Sequence, residues 1–421
     1  MDLDYEILPD DFEYDLPEYS KFKSGSTTGL PNVDEGDLVA YQFMNAPLNP
    51  ELAKNKNEVY NEEDGLTYAD WEQRWNQLLD QMSFEEQCNI VVNAYHWIQG
   101  AESISLPSSR QENGPLGITK RQEVFFSIPN DATIKNGTGW VWVSYPCAGV
   151  IGASYNIEVA EMIGEHKSED MLYLGYNGIY GPGANLHRSP YGGRAFEYPS
   201  EDPLLTGLIE AYECIGIESK GCMAYVKHYA LNDMETNRVN CGIWTTEQAS
   251  RENYLRAFEL VFTIGKASAT MNSFTRIGTA WSGASYEMMT TILRDEWGYD
   301  GLVISDWDTA GSGMSKLDGV LAGTDTFDGN NKPEVLTKYA DNAKVAQAVR
   351  TSVKRVIYNT VRTNMMNGIT INTKTYKVTP WWKTLLVTMD CTFISLDLVS
   401  VGMLITSLVL ISKKKKETEI N

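Results

Sequence analysis

The chain has 421 residues, 43% of them hydrophobic, which is enough for one large core or two ordinary ones. A formal net charge of −21 argues against nucleic acid or an anionic membrane surface as a partner of the soluble part. Six scattered cysteines with no Cys-x-x-Cys pair, and four histidines without metal-ligand spacing, give neither a zinc pattern nor a disulfide framework, so buried free thiols are expected.

Residues 1–65 are acidic, carry no Arg and show no sustained period, and read as an irregular arm or linker. Met1 is followed by Asp-Leu-Asp-Tyr-Glu rather than a basic start and an apolar run, so these residues do not read as a signal peptide. Helical spacing begins at Tyr68, with Trp71, Trp75, Leu78, Leu79 and Met82 on one face. Ser83 and Glu86 form a capping-box pattern for a second helix reaching about His96. A turn-rich strand end follows at 112–118, then an irregular stretch to Pro146 and a helix over 156–174 leading to a strand at Gly178. From there the order is regular. Helix 204–220, strand 222–228, a long polar loop, helix 246–265, strand 269–274, helix 285–297 and strand 302–304 succeed one another. A further strand is expected over 320–325 and a long helix over 343–366.

Strands alternating with helices, through connections of roughly 20 residues, imply parallel pairing and right-handed crossovers. About 300 such residues fit one (β/α)8 TIM-like barrel, with a doubly wound sheet as the alternative. The barrel is preferred because several strands end in polar or aromatic groups, and a barrel converges such ends on one mouth. The clearest case is the run Leu302-Val303-Ile304, which stops at Ser305-Asp306-Trp307. A carboxylate and an indole at the tip of a buried strand suit an active site; the alternative for Asp306 is a helix N-cap.

Residues 385–411 differ in kind. They are apolar except for Asp390 and Asp397 among their charged positions, are long enough to span a bilayer, and precede the four lysines 413–416. The expectation is a transmembrane helix with a basic cytoplasmic tail at 412–421, a linker at 368–384, and everything before it outside the cell, as at a bacterial cell surface; an apolar terminal core helix is the alternative. Export without a signal peptide then requires residues upstream of Met1.

Four motifs occur in order: Gly181-Pro-Gly-Ala-Asn-Leu-His-Arg-Ser-Pro190 continuing as Gly193-Arg-Ala-Phe-Glu-Tyr-Pro-Ser-Glu-Asp-Pro203; Lys227-His-Tyr-Ala-Leu-Asn-Asp-Met-Glu-Thr-Asn-Arg238; Met271-Asn-Ser-Phe274; and Gly301-Leu-Val-Ile-Ser-Asp-Trp307. Together they resemble the barrel domain of family 3 glycoside hydrolases, in the β-glucosidase branch, over about 66–367. The hexosaminidase branch is disfavoured because Lys227-His228 is not followed by that branch's His-bearing loop. The resemblance implies a retaining glycosidase with Asp306 as nucleophile. Arg194, Lys227 and His228 would grip the innermost sugar, with Met271, Phe274 and Trp307 lining it. Arg194 could instead pair with Glu197 or Glu201, and Trp307 and Phe274 could be rim packing.

No cofactor is implied, and the partner is a carbohydrate substrate. Two departures stand out. Asn113 occupies a position where the family carries Asp, so one sugar-binding charge is missing. The second carboxyl that retaining hydrolysis needs comes, in such enzymes, from a separate sandwich domain. The chain resembles the barrel-and-anchor part of a member with reversed domain order, the arm being the link to that domain. Glu197, Glu235 and Asp308 are the nearby carboxyls that could stand in.

Overall fold

The structure is a computed structural model and describes residues 37–118, 144–309, 311–329, 331–366 and 381–420. It divides into two units, 1–373 and 374–421.

The first unit is built on a six-stranded sheet. Its strands are β1 (Trp97–Ile98), β2 (Ser109–Asn113), β3 (Gly178–Tyr180), β4 (Met223–Tyr229), β6 (Ala269–Asn272) and β9 (Leu302–Ile304), in the spatial order β1-β2-β3-β4-β6-β9. From β2 to β9 every pairing is parallel, with helices Ile157–Leu174, Pro203–Ser219 and the helical stretches of 247–265 and 287–296 in the crossovers. Hydrogen bonding continues past β9. Ile304 bridges Thr326 in parallel, Phe327 donates to the Val91 carbonyl (2.8 Å), Ala94 donates to the Phe327 carbonyl (3.0 Å) and Gln111 donates to the His96 carbonyl (3.1 Å). The ring is thereby drawn together through residues 91–98, which lie between the last strand position and β2. A short second sheet, β5 (Gly242–Ile243), β7 (Arg276–Ile277) and β8 (Ala280–Trp281), joins two of the loops that follow β4 and β6.

The uniformly parallel eightfold pattern expected from the sequence is not what these residues form. β1 pairs antiparallel with β2. The ten residues between them are too few for a helical crossover and suffice for a return turn, which uses Ser105 at φ 52°. The strand expected over 320–325 is helix Lys316–Ala322, capped by Ser315, whose side chain accepts from the Asp318 N–H. Gly323 at φ 115° ends that helix, so the next strand position comes later, at Thr326.

Side chains alternate along the strands. Tyr180, Met223, Tyr225, Met271, Leu302 and Ile304 join one buried cluster; Ile179, Ala224, Val226 and Val303 join another with Phe258, Met289 and Leu293 of the surrounding helices. The first group faces the inside of the ring. Helix Tyr68–Asp80 starts with Thr67, which accepts from the Asp70 N–H while the Asp70 carboxylate accepts from the Thr67 N–H, and it buries Trp71, Trp75, Leu78 and Leu79 as the spacing predicts. The second helix is shorter than expected, Phe84–Val92.

The irregular-arm expectation needs correction for part of 1–65. Residues 1–36 lie outside the described residues, but Val39, Ala40, Tyr41, Phe43 and Ala46 belong to the core. The Phe43 ring lies 4.5 Å from that of Trp75, whose Nε1 donates to the Pro47 carbonyl at 2.7 Å. These apolar residues have no helix or strand period because they dock as a 3-10 turn (Ala40–Phe43) and loop, so composition alone reads them as linker. The final helix is Ala343–Thr360, followed by a 3-10 turn. Cys88, Cys214 and Cys222 are buried, Cys147 and Cys241 half-buried and Cys391 exposed, all as free thiols.

The second unit is one helix, Trp381–Ile420. Its segment Thr384–Ser412 has a mean hydropathy of 2.2 and is long and apolar enough to cross a membrane by length and composition. The expected linker at 368–384 falls mostly outside the described residues.

Candidate active site

The tips of β2, β4, β6 and β9 carry the residues singled out by sequence. Asn113 ends β2 and Lys227 and His228 lie near the end of β4. Met271 lies in β6, Phe274 two residues beyond it, and Asp306 and Trp307 just past β9. Arg194 comes from the loop after β3.

Asp306 is almost completely buried. One oxygen, Oδ1, accepts from the Trp307 N–H at 2.7 Å. The other, Oδ2, is sealed from solvent and accepts no hydrogen bond; His228 Nε2 stands 3.6 Å away and Arg238 Nη1 3.7 Å away. The N-cap alternative fails, because the next helix begins at Lys316 with Ser315 as its cap. Burial raises the Asp306 carboxyl above the usual aspartate value; Arg238, the Trp307 N–H, Arg194 and Lys227 pull the other way.

Around it lies a neutralised frame. Arg194 grips Glu197 through two parallel bonds of 2.9 Å, Nε to Oε1 and Nη2 to Oε2. The Lys227 ammonium is 3.6 Å from the same carboxylate. Glu235 lies 3.9 Å from Arg194 and 3.3 Å from Arg238, and the Arg238 guanidinium carbon stands 4.3 Å from the centre of the Phe274 ring. Burial pushes His228 well below the ordinary histidine range, and Arg194, Lys227 and Arg238 add repulsion, so its imidazole is neutral. Tyr198 Oη is 3.3 Å from His228 Nδ1, and the buried Asn185 bonds both the N–H and the carbonyl of His228. His187 bonds the Ala195 and Tyr198 carbonyls and so braces the Arg194 loop.

The structure thus brings Asp306, His228, Lys227, Arg194 and Phe274 together, and the pairing of Arg194 with Glu197 is part of the same network. Met271 is a buried inward residue of β6, Trp307 is half-exposed beside Asp306, and Asn113 ends β2, the strand reached from β9 through residues 91–98. Sequence reasoning missed Arg238 as a site residue. Its signal was its place at the end of the motif that opens with Lys227-His228.

Each of the three stand-in carboxyls is engaged by a cation. Burial alone would raise Glu197, but Lys227 and Arg194 outweigh it and hold the group below its ordinary value. Glu235 faces two arginines. Asp308 accepts from Ser312 Oγ (3.0 Å) and Asn331 Nδ2 (2.8 Å) and pairs with Lys316. Among the described residues no group of three or more His, Cys, Asp or Glu is arranged to hold a metal ion.

The architecture and the sequence both have relatives. Probable β-glucosidase I of Aspergillus flavus is 30% identical over 298 residues, which is 70% of this chain and 33% of that protein. An exo-α-(1→6)-L-arabinopyranosidase of Bifidobacterium longum is 35% identical over 232 residues, 54% of this chain and 29% of that protein. The chain therefore spans about a third of the length of these relatives. Among solved structures, the family 3 β-glucosidase of Bifidobacterium adolescentis superposes with a TM-score of 0.59 at 29% identity, covering 68% of this chain and 40% of that one. The β-glucosidase of Kluyveromyces marxianus, in complex with glucose, gives 0.61 at 26%, covering 71% and 35%. These likenesses make the incomplete ring of strands a TIM-like barrel. The model of the glycosyl hydrolase family 3 N-terminal domain matches residues 83–373, and the chain belongs to that family.

Proposed function

We propose that this barrel binds a terminal β-D-glucosyl or xylosyl unit and that Asp306 attacks its anomeric carbon, as the first half of a retaining hydrolysis. The observation that carries the reading is the Asp306 carboxylate itself. It sits at a strand tip with Oδ2 unbonded, among Arg238, Lys227 and Arg194, whose charges oppose its protonation. Lys227, Arg194 and neutral His228 supply donors for sugar hydroxyls, and the Phe274 ring and Trp307 supply apolar surface. An arabinopyranosidase among the relatives widens the sugars to be tried. The second carboxyl comes from a separate domain: Glu197, Glu235 and Asp308 are each engaged by cations, and a general acid must be open to the leaving oxygen. Helix 385–411 anchors the barrel to a membrane, with the lysines 413–416 on the cytoplasmic side.

The test is labelling with a 2-deoxy-2-fluoro-β-glucoside bearing a good leaving group, followed by peptide mass mapping. The fluorine slows breakdown of the glycosyl-enzyme, and an activated leaving group needs no acid. An adduct on Asp306 is expected. The same engagement of those carboxylates favours a second reading, a sugar-binding barrel that does not turn over by itself. Saturable glucose binding without any adduct would select it.

A further inference from the structure

Asp328 lies beside Asp306 by strand register. Ile304 and Thr326 are partners in a parallel bridge, and Asp306 and Asp328 each follow two residues later, on the same face as their predecessors. The pairing persists to the tips. Ser305 donates its N–H to the Thr326 carbonyl (2.9 Å), Asp328 donates its N–H to Ser305 Oγ (2.9 Å), and Asp308 donates its N–H to the Asp328 carbonyl (2.8 Å).

The face is fixed independently. The Asp325 carboxylate points outward, to Arg294 and Arg355 on the surrounding helices. Alternation then turns Thr326 and Asp328 inward, as it turns Leu302, Ile304 and Asp306. Asp328 is 3% exposed. Its Oδ1 accepts from the His96 N–H at 3.1 Å, and no described residue donates to its Oδ2. Nearby, the ring of the buried Tyr180 packs 5.2 Å from that of His96. An inward carboxyl with one oxygen to which no described residue donates, next to Asp306, is placed to take a polar partner from the mouth.

We propose that Asp328 is a specificity-determining residue of this site, holding one ring hydroxyl of the innermost sugar. This rests on the carbohydrate reading above and goes beyond it by naming a contact. Burial, with the repulsion of Asp306, Glu112 and Asp308 and against the pull of the His96 N–H, lifts the Asp328 carboxyl well above the usual aspartate range and so favours its protonated form. A protonated carboxyl both donates and accepts, and so does a hydroxyl. Placed on the same side of the mouth as Asp306, it is suited to gripping the ring. In retaining hydrolysis the leaving oxygen is protonated from the opposite side of the sugar to the nucleophile.

The experiment is calorimetric titration of the whole chain with glucose and with its 2-, 3-, 4- and 6-deoxy analogues, for wild type, Asp328→Ala and Asp328→Leu. It needs no turnover. For wild type, one deoxy position binds about tenfold or more worse than glucose through this contact. In the variants glucose itself weakens by a similar factor and that one position loses its penalty, while the other three positions keep theirs. Asp328→Leu fills the space without a carboxyl and serves where Asp328→Ala folds poorly, as checked by thermal melting. Penalties unchanged at all four positions, or glucose binding unaltered in both variants, overturn the role of Asp328 and leave the carbohydrate reading intact. Failure of wild type to bind any of the sugars overturns both.

Discussion

Replacing Asp325 with Ala removes the group that ties the last strand position to the helices around it. Asp325 is fully buried, and its carboxylate takes three bonds: from Arg294 Nη2 at 2.8 Å, from the Val303 N–H at 2.9 Å and from Arg355 Nη1 at 3.1 Å. Burial already presses the Arg294 guanidinium down to about 10, with Arg355 adding repulsion and Asp325 opposing. Without Asp325 that charge is left inside the protein, and breaking such a pair costs about 3–5 kcal/mol. Two features place this case at the lower end, about 3 kcal/mol. Arg294 keeps its bonds to the Tyr299 and Gly301 carbonyls, and the Arg355 side chain, 19% exposed, can turn to water. Against a typical total of about 5–15 kcal/mol this is a large fraction. Urea unfolding of the detergent-solubilised chain, followed by tryptophan fluorescence, measures it. Asp325→Asn should lose less than Asp325→Ala, because an amide oxygen still accepts from Val303. A loss under about 1 kcal/mol for Asp325→Ala, a value typical of exposed pairs, would refute the view that this carboxylate holds the ring closed.

Three further outcomes follow from the site. Asp306→Gly should abolish the fluoroglucoside adduct and leave glucose binding within about tenfold of wild type, since the gripping residues remain; a labelled Asp306→Gly protein would place the nucleophile elsewhere. The labelling rate of wild type should fall as pH drops, because the ionised Asp306 attacks, and the midpoint should lie above the usual aspartate value because burial raises that carboxyl. Arg238→Met should move this limb to higher pH, and a limb that stays put would show that the guanidinium 3.7 Å from Oδ2 does not act on it. Burial also lifts Asp233 from 3.8 to about 6. The folded state then holds this proton more tightly than the unfolded chain, so its stabilising effect is present below about pH 4 and is lost as pH rises to about 6, on the order of 2–3 kcal/mol. Asp233→Asn, which keeps an acceptor for the Leu186 N–H, should flatten that slope relative to wild type in pH-dependent unfolding; equal slopes would count against it.

Much of the barrel was legible because its strands are short apolar runs that end in chemistry. Lys227-His228 and Asp306-Trp307 announce themselves against Val226 and Ile304, and the structure sets them around one point. The start of the barrel was less legible. Phe43 docks on Trp71 and Trp75 through a turn with no period, so neither a helical nor a strand template finds it. Residues 320–325 read as a strand because the apolar run Val320-Leu321-Ala322 carries no period of its own; the Ser315 cap and Gly323 decide for helix. Arg238 is harder to single out, for another reason. It lies in a polar loop 68 positions before Asp306 in the sequence, and only the fold places its guanidinium between Phe274 and that carboxylate.

The charge balance of the mouth is consistent with the proposed half of a two-carboxylate reaction. Three cations, Arg194, Lys227 and Arg238, face three carboxylates, Glu197, Glu235 and Asp306. Glu197 and Glu235 take the close ion pairs, which fixes the cations in place, while Asp306 is left 3.7 Å from Arg238 with one oxygen unbonded. A nucleophile needs that arrangement: enough positive field to oppose its protonation, and no tight partner to blunt it. A general acid needs the reverse, a carboxyl kept protonated and open to the leaving oxygen. The same kind of cation that opposes protonation of Asp306 also opposes that state at Glu197, through Lys227 and Arg194. An acid placed within the frame would lose its proton to the field around the proposed nucleophile, so the proposed reaction is better divided between the barrel and a carboxyl brought from outside it.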